Sequence, residues 1–193
     1  MTDYADELTL RDARAVYFAR AGFDESSYSA RWVRLQAGPV PFFMLNSAAR
    51  VRAVRLHDLH HVVTGYDTSW TGEGEIGAWE VASGCAGHVA AWHLNLLAMG
   101  IGLVIAPRAV FAAFVRGRRT RNFYREAYGD ALLAESVGGA RRRLGLAGAT
   151  SIRASAAERT AFVGWSAAAA AAWLVSTVLP LVLVGLGVRA CIG

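Results

Sequence analysis

The longest break in the alternation of hydrophobic and polar positions lies near the C-terminal end. Between Arg159 and Arg189 run 29 residues without a charge, and ~20 predominantly apolar residues suffice to cross a bilayer as a helix. Residues 160–188 therefore predict a transmembrane helix, with Trp165 and Trp173 in its first half and Trp165 at the depth where indoles collect. Pro180 does not veto it, because neighbouring groups re-satisfy a freed carbonyl in lipid. A second uncharged run, 81–107, is interrupted by His88, His93, Asn95 and four glycines. It reads as a second span, an interfacial helix or a central core helix, since polar groups in hydrocarbon need partners.

Upstream the pattern is helical. Thr9 is a candidate N-cap with Asp12 three residues on; Leu10, Ala13, Val16 and Tyr17 recur at helical spacing, and Gly22 is a stop. A break falls at 38–41, a helix runs from about 47 to 63 and ends at Thr64–Gly65, and another begins near Glu73. No stretch alternates convincingly as a strand. The expectation is an all-α protein: a helical metal-binding domain over 1–150, with a basic region at 107–150, and a C-terminal membrane anchor helix over 151–193.

Composition sharpens this picture. Hydrophobic residues make up 54% of 193 and the mean hydropathy is +0.31, which excludes intrinsic disorder and points to a membrane. All 20 basic residues are Arg; eleven fall in 107–159 against four acids, whereas 1–83 holds eight against eleven acids. By the positive-inside rule the basic region is cytoplasmic, and the acidic start MTDYADELTLRD lacks the signature of a secretory signal. The expected location is the inner membrane with the domain on its cytoplasmic face. The Arg stretch reads as a topology signal on a solvated face, or as a surface for anionic lipid; no nucleic-acid motif accompanies it. Cys85 and Cys191 lie far apart in apolar text and indicate neither a disulfide framework nor a thiolate site.

Chemistry concentrates in HDLHHVVTGYDTSWTGEGE. On a helix His57, Asp58 and His61 can point to one side. That is metal-ligand spacing, and a divalent ion, with zinc favoured, takes four protein ligands in a structural site or three plus water in a catalytic one. Glu73 and Glu75 follow after a turn and can complete the set. His60 is a bystander or supports the ligands from behind. His88 and His93 are five apart, ~140° around a helix, and read as core or interfacial histidines. HDLHH also resembles the zinc-protease HExxH with Asp in place of Glu, and as HxxHH it resembles a histidine box of membrane di-iron oxygenases, which need several such boxes.

A longer match is more specific. HDLHHVVTGYDTSWTGE resembles the HDxxH-x11-E signature of the ubiquinone (coenzyme Q) biosynthesis protein 4 family: eleven residues separate His61 from Glu73, the HVxTGY text is present, and Ala78–Trp79 fall where that family has a small residue and an aromatic. The match covers 52–82. It implies that His57, Asp58, His61 and Glu73 form the metal site, with Glu73 preferred over Glu75. It further implies a membrane-associated protein acting on a polyprenylated aromatic quinone precursor, as a metal-dependent decarboxylase removing the C1 carboxyl group or as a non-catalytic prenyl-lipid-binding scaffold for other quinone-biosynthesis enzymes. Partners on this reading are a prenylated lipid, the membrane and those enzymes; a homodimer is compatible. The run 89–105 is the expected wall of a groove for the lipid tail.

Overall fold

The computed structural model describes residues 3–22, 24–37, 40–148 and 153–192. Among these, nine helices and one hairpin occur in the order α1 (Leu10–Ala21), α2 (Ser26–Ser29), β1 (Trp32–Ala37), β2 (Val40–Leu45), α3 (Ala48–Thr64), α4 (Trp70–Ser83), α5 (Val89–Ile105), α6 (Pro107–Arg119), α7 (Asp130–Leu133), α8 (Val137–Leu144) and α9 (Ala156–Ile192). The protein is all-α, with one helix long and apolar enough to cross a membrane.

Local chemistry sets most helix ends. Thr9 accepts from the Asp12 amide, Ser47 from Arg50 and Ser69 from Gly72, satisfying amides that lack a partner in the first turn. Gly22 and Gly65 close α1 and α3 in the left-handed region. One start differs from expectation: α4 begins at Trp70 rather than near Glu73, because Asp67 Oδ1 accepts from the Ser69 amide and hydroxyl and so builds the cap earlier. Glu73 thereby falls in the first turn, where a carboxylate is favoured by the helix dipole.

The hairpin corrects the expectation of no strands. β1 and β2 pair antiparallel from Trp32↔Leu45 to Ala37↔Val40. The alternation Val33–Arg34–Leu35–Gln36–Ala37 is short, and VPFFML is apolar on consecutive positions, so no period stood out. Both strands are edges, which is where a strand tolerates Pro41. Of the break read at 38–41, residues 38 and 39 lie outside the described residues, and 40 and 41 open β2.

The centre of the molecule is α4, fully buried at Ile76, Trp79 and Glu80 and packed between α5 and α6. Two glycines permit the closest approach. A Cβ on Gly74 would meet Gly102 Cα at 2.6 Å, and one on Gly102 would meet Gly74 Cα at 2.7 Å, so only hydrogen fits where α4 and α5 touch. The run 81–107 thus supplies α5, a helix packed against α4, α6 and α9.

Several arginines of the basic region have internal partners. Arg116 donates to the Thr64 carbonyl and Arg141 to those of Val62, Val63 and Tyr4, capping the C-terminal end of α3 with positive charge. Arg143 bridges Glu126 and Glu135, and Arg119 bridges Glu158. Arg118, Arg121, Arg125 and Arg142 are exposed.

Helix α9 has 37 residues, a length of ~55 Å at 1.5 Å per residue. Only 6% of its most apolar window is buried within the protein, which separates it from a soluble core helix. Its first half leans on the domain: Trp165 stacks on Trp92 at 5.2 Å, Phe162 meets Phe111 and Phe114, and Trp173 Nε1 donates to the Leu97 carbonyl at 2.8 Å.

Replacing Gly102 by Val forces α4 and α5 apart at backbone contact. The expected cost is about 1–3 kcal/mol, read as a lowered denaturation midpoint of the purified protein; an unchanged midpoint contradicts the close-packed crossing.

Candidate metal centre

His57 and His61 project from the second half of α3, one turn apart, and Glu73 reaches them from the first turn of α4. One ligand atom from each of the three lies within 4.8 Å of the others. His61 Nε2 is 3.1 Å from His57 Nε2 and 3.4 Å from Glu73 Oε1, and His57 Nε2 is 3.6 Å from Glu73 Oε2. Ligand atoms on a tetrahedral ion with bonds of ~2.0–2.1 Å stand ~3.3 Å apart; the two imidazole nitrogens have that spacing, each faces a different oxygen of Glu73 at a similar distance, and three donors leave a fourth position open.

The far nitrogens fix how these rings present themselves. His61 Nδ1 lies 2.9 Å from the Tyr66 carbonyl, an oxygen that only accepts, so this nitrogen carries the proton. The left-handed turn at Gly65 brings that carbonyl around to the ring. His57 Nδ1 likewise donates to Glu80 Oε1 at 2.9 Å. Both Nε2 lone pairs therefore face the Glu73 carboxylate, an assembly of acceptors that repel unless a cation or proton sits among them. Holding the second ring nitrogen on a carboxylate or carbonyl is the usual support of a metal-bound histidine. The donor set, two imidazoles and one carboxylate, fits a divalent ion.

Close approach also fixes Glu73. A Cβ on Gly72, the residue just before it, would stand 2.1 Å from the Asp67 carbonyl oxygen, so the loop can fold this tightly over α4 only with glycine there. The site keeps an open edge: the side chains of His57 and Glu73 are 19% and 31% exposed, while His61 is closed in at 1% beneath the stacked ring of Tyr17.

Glu80 is the residue that the sequence reading did not single out. It is wholly buried, two turns along α4 from Glu73. One oxygen accepts from His57 Nδ1 and from His60 Nδ1 at 2.6 Å; the other accepts from Tyr124 Oη at 2.6 Å and from Asn95 Nδ2. His60 is held in turn by the Phe123 amide, which donates to its Nε2 at 2.9 Å, so His60 supports Glu80 instead of reaching the ion site. The available signal was one acid inside the apolar text AWEVA, seven residues from Glu73.

Charge balance follows from these contacts. Burial works against ionising Glu80 and Glu73, but the imidazoles of His57 and His60, and of His61 and His57, outweigh it and hold both carboxyls well below the usual range. His57 is raised well above an ordinary imidazole because Glu80 and Glu73 overcome its desolvation. His60 is lowered by burial, beyond what Glu80 restores.

Other expected ligands are placed elsewhere. Asp58 is buried outside the group of three; its Oδ2 accepts from Tyr28 Oη at 2.5 Å, and burial lifts its carboxyl above the ordinary value. One residue along a helix turns a side chain by ~100°, which carries Asp58 toward α2 while His57 faces α4. Glu75 is also outside, its carboxyl raised by burial and by Asp67. His88 sits against Tyr124, and His93 Nε2 is 3.5 Å from Ser176 Oγ.

An apolar groove of about 310 Å³ is lined by Gly100, Ile101, Val104, Ile105 and Trp173. It lies between α5 and α9, not against the imidazoles as the expected lipid groove would. The Gly74–Gly102 contact makes its α5 wall the neighbour of the turn bearing Glu73. Comparison with family models, with curated proteins and with solved structures finds no match for this chain.

Elemental analysis of the purified protein is expected to give about one divalent ion per chain; His61→Ala abolishes it and Glu75→Ala leaves it unchanged. Glu80→Gln removes the charge and turns an amide NH2 against donors, either the two imidazoles or Tyr124 and Asn95, and is expected to weaken ion affinity about 10–100-fold with helicity retained. Wild-type affinity in that variant contradicts the supporting role of Glu80.

Proposed function

We propose that this chain is a membrane-associated metal protein of the ubiquinone biosynthesis protein 4 type, removing the C1 carboxyl group of a polyprenylated hydroxybenzoate. The observation that carries the reading is three oriented donors around an open corner, built from the residues of the HDLHHVVTGYDTSWTGE text. The ion would be held by His57, His61 and Glu73, with zinc the choice that suits two imidazoles and a carboxylate; Asp58 would steady the site through its own hydrogen bond to Tyr28. Bound there, the ion supplies a Lewis acid for the substrate's oxygen atoms.

The chain's own residues do the rest. His57 and Glu73 line the open edge from which the substrate approaches, while buried His61 and the stacked Tyr17 keep water from the opposite side. The bond between C1 and the carboxyl carbon breaks, carbon dioxide leaves, the electron pair stays on C1, and a proton from solvent takes its place. α9, long and apolar enough to span a bilayer, would anchor the domain where a prenylated substrate resides, and by the positive-inside rule the Arg-rich region would face the cytoplasmic side of the inner membrane.

A second reading is favoured by one observation: Glu80 ties α3, α4, α5 and the segment after α6 together. An ion joining α3 to α4 would then clamp a prenyl-lipid-binding scaffold for other biosynthetic enzymes. A di-iron oxygenase has less support, since the donors of the described residues group once, around one ion.

The test is turnover of a prenylated hydroxybenzoate by the ion-loaded full chain in lipid nanodiscs, followed by mass spectrometry. Decarboxylated product from wild type and none from a folded His61→Ala variant supports the enzyme. Lipid binding without carbon dioxide release, with His61→Ala unfolded, supports the clamp.

A further inference from the structure

The α5–α9 wall faces the surroundings with unusual apolarity. Val104 is 83% and Ile105 50% exposed at the end of α5, beside Leu174 at 62% and Val175 at 58% on α9. No Asp, Glu or Arg occurs between 81 and 107, and Arg108 follows immediately, exposed, in the first turn of α6. These side chains are contiguous: Ile101, Val104 and Ile105 share the groove with Trp173.

Depth along α9 decides what covers them. The 29 uncharged residues between Arg159 and Arg189 extend ~43 Å as a helix, and the hydrocarbon layer is ~30 Å thick. Trp173 stands fourteen residues past Arg159, ~21 Å along the axis. However an upright helix is slid to keep both arginines out of the hydrocarbon, Trp173 stays inside it. The α5 residues that share the groove with Trp173 are therefore carried to the same level.

We infer that the C-terminal end of α5, at Ile101, Val104 and Ile105, is immersed in the bilayer alongside α9 and is a second membrane contact of the domain. This inference rests on α9 spanning the bilayer. Several polar groups at the α5–α9 seam are matched as hydrocarbon demands. Trp173 Nε1 donates to the Leu97 carbonyl, Ser176 Oγ approaches His93, and the hydroxyls of Ser166 and Thr177 return to carbonyls one turn back. Arg108 has the long apolar stem that lets a guanidinium reach the headgroups. The groove is then filled by hydrocarbon chains of the bilayer. Through Gly102 and Gly74 the immersed end of α5 adjoins the turn that carries Glu73, so bilayer depth and ion site are joined by one closely packed helix crossing.

Cysteines introduced one at a time at Val104→Cys, Val178→Cys and Arg142→Cys, in full-length chain carrying Cys191→Ser and keeping Cys85, which is buried away from the label, are labelled with an environment-sensitive nitrobenzoxadiazole in nanodiscs. Ion content reports an intact domain. The expected result is loss of emission at 104 and 178 with acyl-brominated lipid and none with aqueous iodide, the reverse holding at 142. Quenching by brominated lipid at 178 together with iodide quenching at 104 overturns the immersion of α5 while leaving the anchor standing. Iodide quenching at both 178 and 104 overturns the spanning helix and this inference with it, without touching the ion site.

Discussion

A single buried carboxylate organises this molecule. Glu80 would be costly to ionise without partners in an interior of low polarity, yet its two oxygens receive hydrogens from two imidazoles, a carboxamide and a phenol. Those four donors come from α3, α5 and the segment after α6, so satisfying one charge brings three parts of the chain against α4. The same bond to His57 Nδ1 turns the other face of that ring toward His61 and Glu73. Fold and site share this constraint.

Close packing sets the second constraint. α4 carries both acids, Glu73 at its start and Glu80 in its middle, and it sits at a fixed depth because Gly74 meets Gly102 at backbone contact. A bulkier pair would hold α5 away from α4 and withdraw Asn95 from Glu80. The tight loop over Gly72 works from the other side, pressing the first turn of α4 toward the histidines. Rigid placement of this kind is what a site needs if its open corner is to receive a ligand in one geometry.

The architecture also couples the ion site to the apolar half of the molecule. α5 touches α4 on one side and α9 on the other. One helix thus separates the donors from the long helix that is apolar enough to cross a bilayer. The arginines that cap α3 and bridge Glu126, Glu135 and Glu158 show that much of the positive charge is structural, with Arg118, Arg121, Arg125 and Arg142 left exposed as the external part.

What was legible beforehand was what is local. The cap at Thr9, the helix start near 47, stops at Gly22 and Gly65, the apolar length of α9, and the one-turn spacing of His57 and His61 all depend on neighbours within a few residues, and the structure contains each of them. Asp58 was a fair candidate on spacing alone, but a side chain at a neighbouring position rotates ~100° around the helix, and only the arrival of Tyr28 from α2 shows where it turns. The hairpin was too short and too apolar to display a period. Glu80 could be read as an acid in apolar text but not as a hub, because its partners lie from 15 to 44 residues away. The sequence by itself determined the helices, the membrane-length segment and two imidazoles on one helix face. The resemblance to the HDxxH-x11-E text already preferred Glu73 over Glu75 as the acid that meets them; the tertiary structure alone decided where Asp58 turns and which carboxylate orients the imidazoles, because a buried charge is tolerated only where distant segments converge to share it.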